Sequence, residues 1–190
     1  MVVDDRGRAY VGSYGFEIPA SSRCRNGCLV LVEPTGTASL VATGLEFPNR
    51  CLVNANRRRR VLAETFGRRP TAFDIFDDGW LGTRTPFTHL SEICPDGLCQ
   101  DPDGGIWVAA AEPPEFVRVL EGGTVKHCVR TPGRQAVACQ LGGPDRRTLF
   151  WLTADGAFED VVGCKATVQV EIVQVGRSRA TSVRKRAKRG

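Results

Sequence analysis

DPDGGIWVAAAE, residues 101–112, carries the pattern on which the reading of this chain turns. An acid-and-glycine turn leads directly into a short apolar run. Asp-Gly and Gly-Gly steps take the positive φ angles of tight turns, and a short apolar run bounded by turn residues reads as a strand. The same pattern stands at DDRGRAYVG (4–12), NANRRRRVLAET (54–65) and GPDRRTLFWLTA (143–154). The turn acids or amides Asp5, Asn56, Asp103 and Asp145 are separated by 51, 47 and 42 residues. Further short strands lie between them: CLVLVEP (28–34), TASLVATGL (37–45), TAFDIF (71–76), EFVRVLEGG (115–123) and VQVEIVQV (168–175). Helical periodicity is almost absent. Short strands grouped in units of 40–50 residues predict an all-β chain of the β-propeller class, with about four blades' worth of sequence. A β-sandwich or barrel uses similar strand spacing, but it does not need the repeat.

Length and composition set the outer limits. The chain has 190 residues, 42% apolar and 25% charged, as one globular domain would. No apolar run approaches the 18 or so residues of a membrane-spanning helix, so no membrane role is expected. The start, MVVDDRGR, brings charge almost at once and has no apolar stretch of the export kind, so a cytoplasmic location is expected. Net charge is +5, but residues 177–190 alone hold seven Arg or Lys and no acid. The basicity therefore belongs to a tail, and the body is mildly acidic. The expected organisation is a propeller region over 1–176 followed by a solvated basic tail over 177–190. Nucleic acid is not the expected partner. It would have to be held by that tail, with affinity falling steeply as salt rises.

The eight cysteines have no CxxC pair, and the only histidines are His89 and His127. That leaves a structural zinc site without support. Reduced thiols are expected, most of them acting as small buried hydrophobes.

Two proline-led steps share one phase. Pro48-Asn49 and Pro95-Asp96 stand 47 residues apart, which is the repeat period. Each follows a Glu-hydrophobic step and precedes an apolar strand, so they should occupy equivalent loops of neighbouring blades. In a propeller such loops converge on the central channel. An Asn carbonyl and an Asp carboxylate are hard oxygen donors suited to Ca²⁺, Mg²⁺ or Mn²⁺. Two donors are few for a cation that takes six to eight, and Pro-Asn and Pro-Asp are also ordinary turn dipeptides.

Several longer strings carry a resemblance. LEFPN (45–49), LAETFGRRPTAFDI (62–75), EICPDGLCQDPDGGIWVA (92–109) and TPGRQAVACQLGGPDRRTLFWLT (131–153) resemble the gluconolactonase, senescence-marker-protein (regucalcin) family. The resemblance runs from Met1 to about Val175. It implies a six-bladed β-propeller that hydrolyses a sugar lactone or related ester with one divalent metal: Ca, Mg, Mn or Zn. It makes Asn49 and Asp96 metal ligands, and Asp96 also the catalytic general base. A carboxylate beside a bound water accepts its proton, and the ring opens without a serine nucleophile. Gly12-Ser13-Tyr14-Gly15 lacks the GxSxG spacing that a serine hydrolase would show.

The resemblance also implies an N-terminally truncated member. Six blades need about two more than this length supplies, and the family's metal-binding Glu and an Arg/Asn substrate-binding step would precede Met1. Arg50 stands where the family has Gly, Arg57 replaces a turn Gly, and Arg60 replaces an apolar strand residue. A charge in a strand core costs several kcal/mol unless it is paired or reaches water. Weaker substrate contacts fall on Glu17, Glu64 and Glu112, the last two closing strands at equivalent places. Arg134 and Gln135 read as hydrogen-bonded lining, and Tyr10, Trp107 and Trp151 as blade packing. The expected small-molecule partner is a lactone, and unpaired blade edges predict self-association. A catalytically inactive metal-binding or scaffold propeller fragment is the alternative.

Overall fold

The computed structural model describes residues 1–16, 26–53, 58–123, 125–156, 160 and 163–175. Glu17, Cys24, Arg57 and the basic tail lie outside the described residues. The chain divides into two compact units, Met1–Cys94 and Pro95–Gly190.

The first unit holds two antiparallel sheets. One has the order β1 (Val2–Val3), β2 (Ala9–Ser13), β3 (Gly27–Val32) and β4 (Ala38–Leu45). The other has β5 (Pro48–Val53), β6 (Arg59–Glu64), β7 (Arg69–Ile75) and β8 (Leu81–Pro86). In the second unit β9 (Pro95–Gln100), β10 (Ile106–Ala110), β11 (Glu115–Val119) and β12 (Val125–Arg130) form a third sheet. A three-stranded sheet of β13 (Gln135–Gly142), β14 (Thr148–Ala154) and β15 (Val168–Gln174) completes it. In every sheet each strand pairs with the next in sequence, the up-and-down meander of a propeller blade.

Burial falls from the inner strands to the outer ones. All five residues of β10 are buried, and so are five of the six in β6. Strands covered on both faces read as continuous apolar runs, which is why IWVAA and VLA announced themselves in the sequence. The fourth strands β8 (LGTRTP) and β12 (VKHCVR) have no buried residue, only half-buried and exposed ones. Their polarity hid them from the apolar pattern.

Within the first unit Tyr10, Leu29, Leu31, Leu45, Cys51, Leu62 and Phe73 form one core shared by both sheets. Within the second, Trp107, Phe116, Leu141, Leu149 and Trp151 do the same, with Phe116 and Trp151 stacked at 5.2 Å. Tyr10, Trp107 and Trp151 are thus blade packing, as expected. Gly97 sets how closely β9 approaches β13: a Cβ there would lie 2.6 Å from Ala138 Cα. Of the cysteines described, all are free thiols. Cys51, Cys99 and Cys139 are buried, Cys28 and Cys94 half-buried, and Cys128 and Cys164 exposed. Burial as small hydrophobes therefore holds for three of the seven described, fewer than expected.

The repeated turn is built by its first acid. Asp4 Oδ1 accepts the Arg6 and Arg8 N–H groups at 3.0 and 2.9 Å, and Asp101 Oδ1 accepts those of Asp103 and Gly105 at 2.9 and 3.0 Å. Gly7 and Gly104 close these turns onto the carbonyls of Asp4 and Asp101, each at 3.1 Å. Arg6, not Asp5, is therefore the counterpart of Asp103, a one-residue shift from the phase read in the sequence. The reason is physical: the accepting carboxylate stands two and four residues before the N–H groups it takes, a place held by Asp4 and Asp101, which sets the phase of the turn.

Burial rises along the described part of the arginine run. Arg58 is exposed and Arg59 half-buried, while Arg60 is only 1% exposed. The Arg60 guanidinium lies 3.2 Å from the centroid of the Tyr10 ring and 3.5 Å from Asp4 Oδ2.

Candidate functional site

Asn49 and Asp96 are each the second residue of an innermost strand, not loop residues as the sequence suggested. The backbone gives both the same special setting. Pro48 pairs with Glu64 and Cys51 with Leu62, so Asn49 and Arg50 together face one residue, Ala63. Pro95 pairs with Ala110 and Leu98 with Val108, so Asp96 and Gly97 together face Ala109. A third copy occurs in β13, where Gln135 pairs with Ala154 and Ala138 with Leu152, leaving Ala136 and Val137 against Thr153. Two residues against one is a β-bulge, a device that bends a strand and re-aims a side chain. The 47-residue spacing was thus the spacing of bulges. Asn49, Asp96 and Ala136 hold its first position, and only the first two carry a ligating oxygen.

Asn49 belongs to the first unit and Asp96 to the second, and both side chains are half-buried. Asn49 Nδ2 donates to Thr65 Oγ1 at 3.4 Å, and Thr65 N–H donates to the Phe47 carbonyl at 3.1 Å. Phe47, two residues before Asn49, has φ of 58°, a left-handed conformation that side chains with a Cβ seldom adopt.

Glu64 anchors this segment. Its side chain is fully buried, and Oε2 accepts the Glu46 N–H at 2.7 Å. Arg84 Nη2 spans both carboxylate oxygens at 2.8 and 2.9 Å, Thr71 Oγ1 donates to Oε1, and Arg69 Nε lies 3.4 Å from Oε1. Burial pushes the Glu64 carboxyl up, but the bonds from Thr71, the Glu46 N–H and Arg84 outweigh it, and the carboxyl is held below the ordinary glutamate value. Expected as a substrate contact, Glu64 instead has both oxygens occupied and holds the strand carrying Asn49. Glu112 is not its counterpart. The register places Ala110 opposite Pro95 where Glu64 faces Pro48, and Glu112 is exposed beyond the end of β10. Glu17 lies outside the described residues. Arg134 is structural: it donates to Thr153 Oγ1 at 2.9 Å and to the Thr153 and Thr167 carbonyls at 3.2 and 3.0 Å.

The sequence reading missed an aromatic group beside Asn49. Tyr14 stacks on Phe47 with centroids 4.6 Å apart, and Phe47 meets Phe66 at 4.5 Å and Phe16 at 5.8 Å. Tyr14 is 40% and Phe66 52% exposed, so the group presents an open apolar face. The signal was present in Phe16, Phe47 and Phe66, but they lie on three separate segments and no period links them.

Asn49 and Asp96 suit a hard divalent cation in kind, one through a carboxamide and one through a carboxylate oxygen. They do not suffice in number. Among the described residues no group of three or more His, Cys, Asp or Glu could hold a metal ion. A cavity of about 490 Å³ is lined by Val53 and Arg58, at the other end of β5 from Asn49. No helix among the described residues is long and apolar enough to cross a membrane.

Residues 1–155 match the model of the SMP-30/Gluconolactonase/LRE-like region. The chain is 28% identical to the pentonolactonase XacC of Haloferax volcanii over 82% of its own length and 53% of that protein. It is 35% identical to the regucalcin of Xenopus laevis over 83% of this chain and 55% of that one. Among solved structures it resembles a gluconolactonase from Xanthomonas campestris, with TM-score 0.65 and 23% identity over 78% of this chain and 51% of that one. It also resembles a calcium-binding regucalcin from Agrobacterium tumefaciens, with TM-score 0.67 and 18% identity over 86% of this chain and 55% of that one. These likenesses agree with the propeller class of the four sheets. The chain spans about half the length of the curated relatives it matches.

Proposed function

The chain belongs to the SMP-30/gluconolactonase/LRE-like family, and from that premise we propose that it serves the hydrolysis of a sugar lactone or related cyclic ester. The observation that carries this reading is the shared bulge, which gives an Asn and an Asp the same backbone setting on two innermost strands. Asp96 is the general base. Water adds its oxygen to the lactone carbonyl carbon and gives its proton to the Asp96 carboxylate. The ring C–O bond then breaks, the leaving oxygen takes that proton, and an open hydroxy acid results. Asn49 Nδ2 is held by Thr65 and leaves its carboxamide oxygen as a neutral donor. A divalent cation, when bound, supplies polarisation of the carbonyl. Asn49 and Asp96 would each offer such a cation one hard oxygen.

The names of two relatives, a pentonolactonase and a gluconolactonase, support the substrate class. The absence of a group of three ligating side chains among the described residues favours a second reading, a folded but inactive propeller fragment.

The test follows lactone opening by acid release, with gluconolactone and a pentonolactone, in the presence of Ca²⁺, Mg²⁺, Mn²⁺ or Zn²⁺. The proposal expects turnover above the uncatalysed rate, and Asp96→Asn should lower it by roughly 10²–10⁴-fold. A cooperatively folding chain whose thermal midpoint rises with metal but which opens no lactone would establish the second reading. Equal rates for wild type and Asp96→Asn would remove Asp96 from the chemistry.

A further inference from the structure

The second unit contains a cavity of about 440 Å³ that lactone chemistry does not use. It lies past the end of β9, next to Asp101, whereas Asp96 stands at the start of that strand. At about 3.3 Å per residue the two are some 16 Å apart along the strand.

Three cross-strand neighbours line it. Trp107, Arg118 and His127 occupy one register row across β10, β11 and β12. The Trp107 and His127 rings stack with centroids 6.1 Å apart. Trp107 is only 1% exposed, yet its indole Nε1 has no hydrogen-bond partner, and neither has the buried Nδ1 of His127. Buried polar nitrogens are seldom left without partners, so such a pair beside a cavity marks a place for one.

The facing wall is the β13–β14 turn, with Arg146 and Arg147. Arg118 is paired with Asp101 at 2.5 Å, and Arg147 lies 3.6 Å from Asp103. Arg146 has no ion pair among the described residues, so three guanidiniums meet two carboxylates around the cavity.

Arg146 also adopts an unusual backbone. Its N–H closes the turn onto the Gly143 carbonyl at 3.1 Å, the position that Gly7 and Gly104 hold in the two other described turns of this kind. Those glycines have φ of 76° and 83°, and Arg146 has φ of 54°. Glycine takes this conformation without steric cost and arginine does not. Arg146 is thus strained where two described turns of the repeat use glycine, and such strained residues occur at ligand clamps.

We propose that this cavity binds a small oxyanion, a carboxylate or phosphate group, with Trp107 Nε1 and the Arg146 guanidinium as donors. The site does not rest on the lactonase reading. A free phosphate and the carboxylate of a sugar acid share the chemistry, and titration separates them.

Calorimetric titration of the 190-residue chain with inorganic phosphate, and separately with gluconate, at constant ionic strength tests the site. Saturable binding of either is expected, and the anion that binds identifies the source. Arg146→Gly restores the residue the turn favours, so it should unfold at no lower temperature than wild type while binding at least tenfold more weakly. Trp107→Phe keeps the ring, removes the N–H and should weaken binding similarly. No saturable binding by either anion overturns the proposal. So does binding that survives both substitutions, as it would if residues 177–190 held the anion.

Discussion

Replacing Arg60 with Met should make the protein more stable, although it deletes an ion pair and a ring contact. The Arg60 guanidinium is 1% exposed and its link to Asp4 is long, at 3.5 Å. Its Nε and Nη1 have no hydrogen-bond partner, and a buried donor left unpaired costs about 1–3 kcal/mol. Opposing this, a desolvated cation over an aromatic ring contributes about 2 kcal/mol. Asp4 is not stranded by the change, because Arg8 Nε and the Arg8 and Arg6 N–H groups still reach it at 2.9, 2.9 and 3.0 Å. The register makes Ile106 the counterpart of Arg60 in the second unit: Arg60 faces Val53 as Ile106 faces Gln100, and Ile106 is fully buried. Exchanging buried ions for apolar side chains of similar volume is commonly neutral or stabilising by about 1–4 kcal/mol. The expectation for Arg60→Met is a gain of about 1–2 kcal/mol, or roughly 2–8 °C in thermal midpoint for a chain of this size. Urea and thermal unfolding, followed by circular dichroism, read both. A companion Asp4→Asn should destabilise, since it leaves Arg8 and Arg60 buried beside a neutral amide. A loss of more than about 1 kcal/mol in Arg60→Met would refute the reasoning. It would mean that the Tyr10 contact outweighs the unpaired donors.

Two further outcomes follow from the charged groups. Glu64→Gln should cost about 3 kcal/mol at neutral pH by leaving the Arg84 and Arg69 charges without their carboxylate. Because the folded carboxyl is held below the ordinary value of 4.5, its contribution is whole above that pH and is lost as pH falls toward the folded value. Urea titrations from pH 7 to pH 3 should therefore show the gap between wild type and Glu64→Gln narrowing in acid, and a constant gap would contradict the assignment. Cys128 is exposed, yet partial burial and the hydrogen bond from its thiol to Glu115 at 2.9 Å push it up to about 11. Its alkylation rate, followed by mass spectrometry, should still be climbing above pH 10, and a plateau by pH 9 would show that the Glu115 contact does not form.

The blades were legible where two-sided burial writes an apolar run, as in IWVAA and VLA. They were not legible in β8 and β12, whose outward positions admit Arg, Thr, Lys and His. Asn49 and Asp96 were found because a 47-residue period carries them, but the bulge behind that period is a two-against-one register that no single strand records. Glu64 misled for a related reason. A Glu closing an apolar strand looks available for a ligand, and its partners Thr71 and Arg84 are brought to it by β7 and β8. The strain at Arg146 was invisible because φ is not written in residue types, and an arginine in a polar turn draws no notice until two of its counterparts prove to be glycines.

The threefold bulge separates backbone from chemistry. Three inner strands offer the same socket, occupied by Asn49, Asp96 and Ala136. A socket defined by hydrogen-bond register survives exchange of the residue it holds, so donors can be gained or lost by single substitutions while the blade stays intact. Descendants of one repeat can therefore drift from catalyst to scaffold, and back, without passing through an unfolded ancestor. Ala136 is where an experimenter would try to add an oxygen.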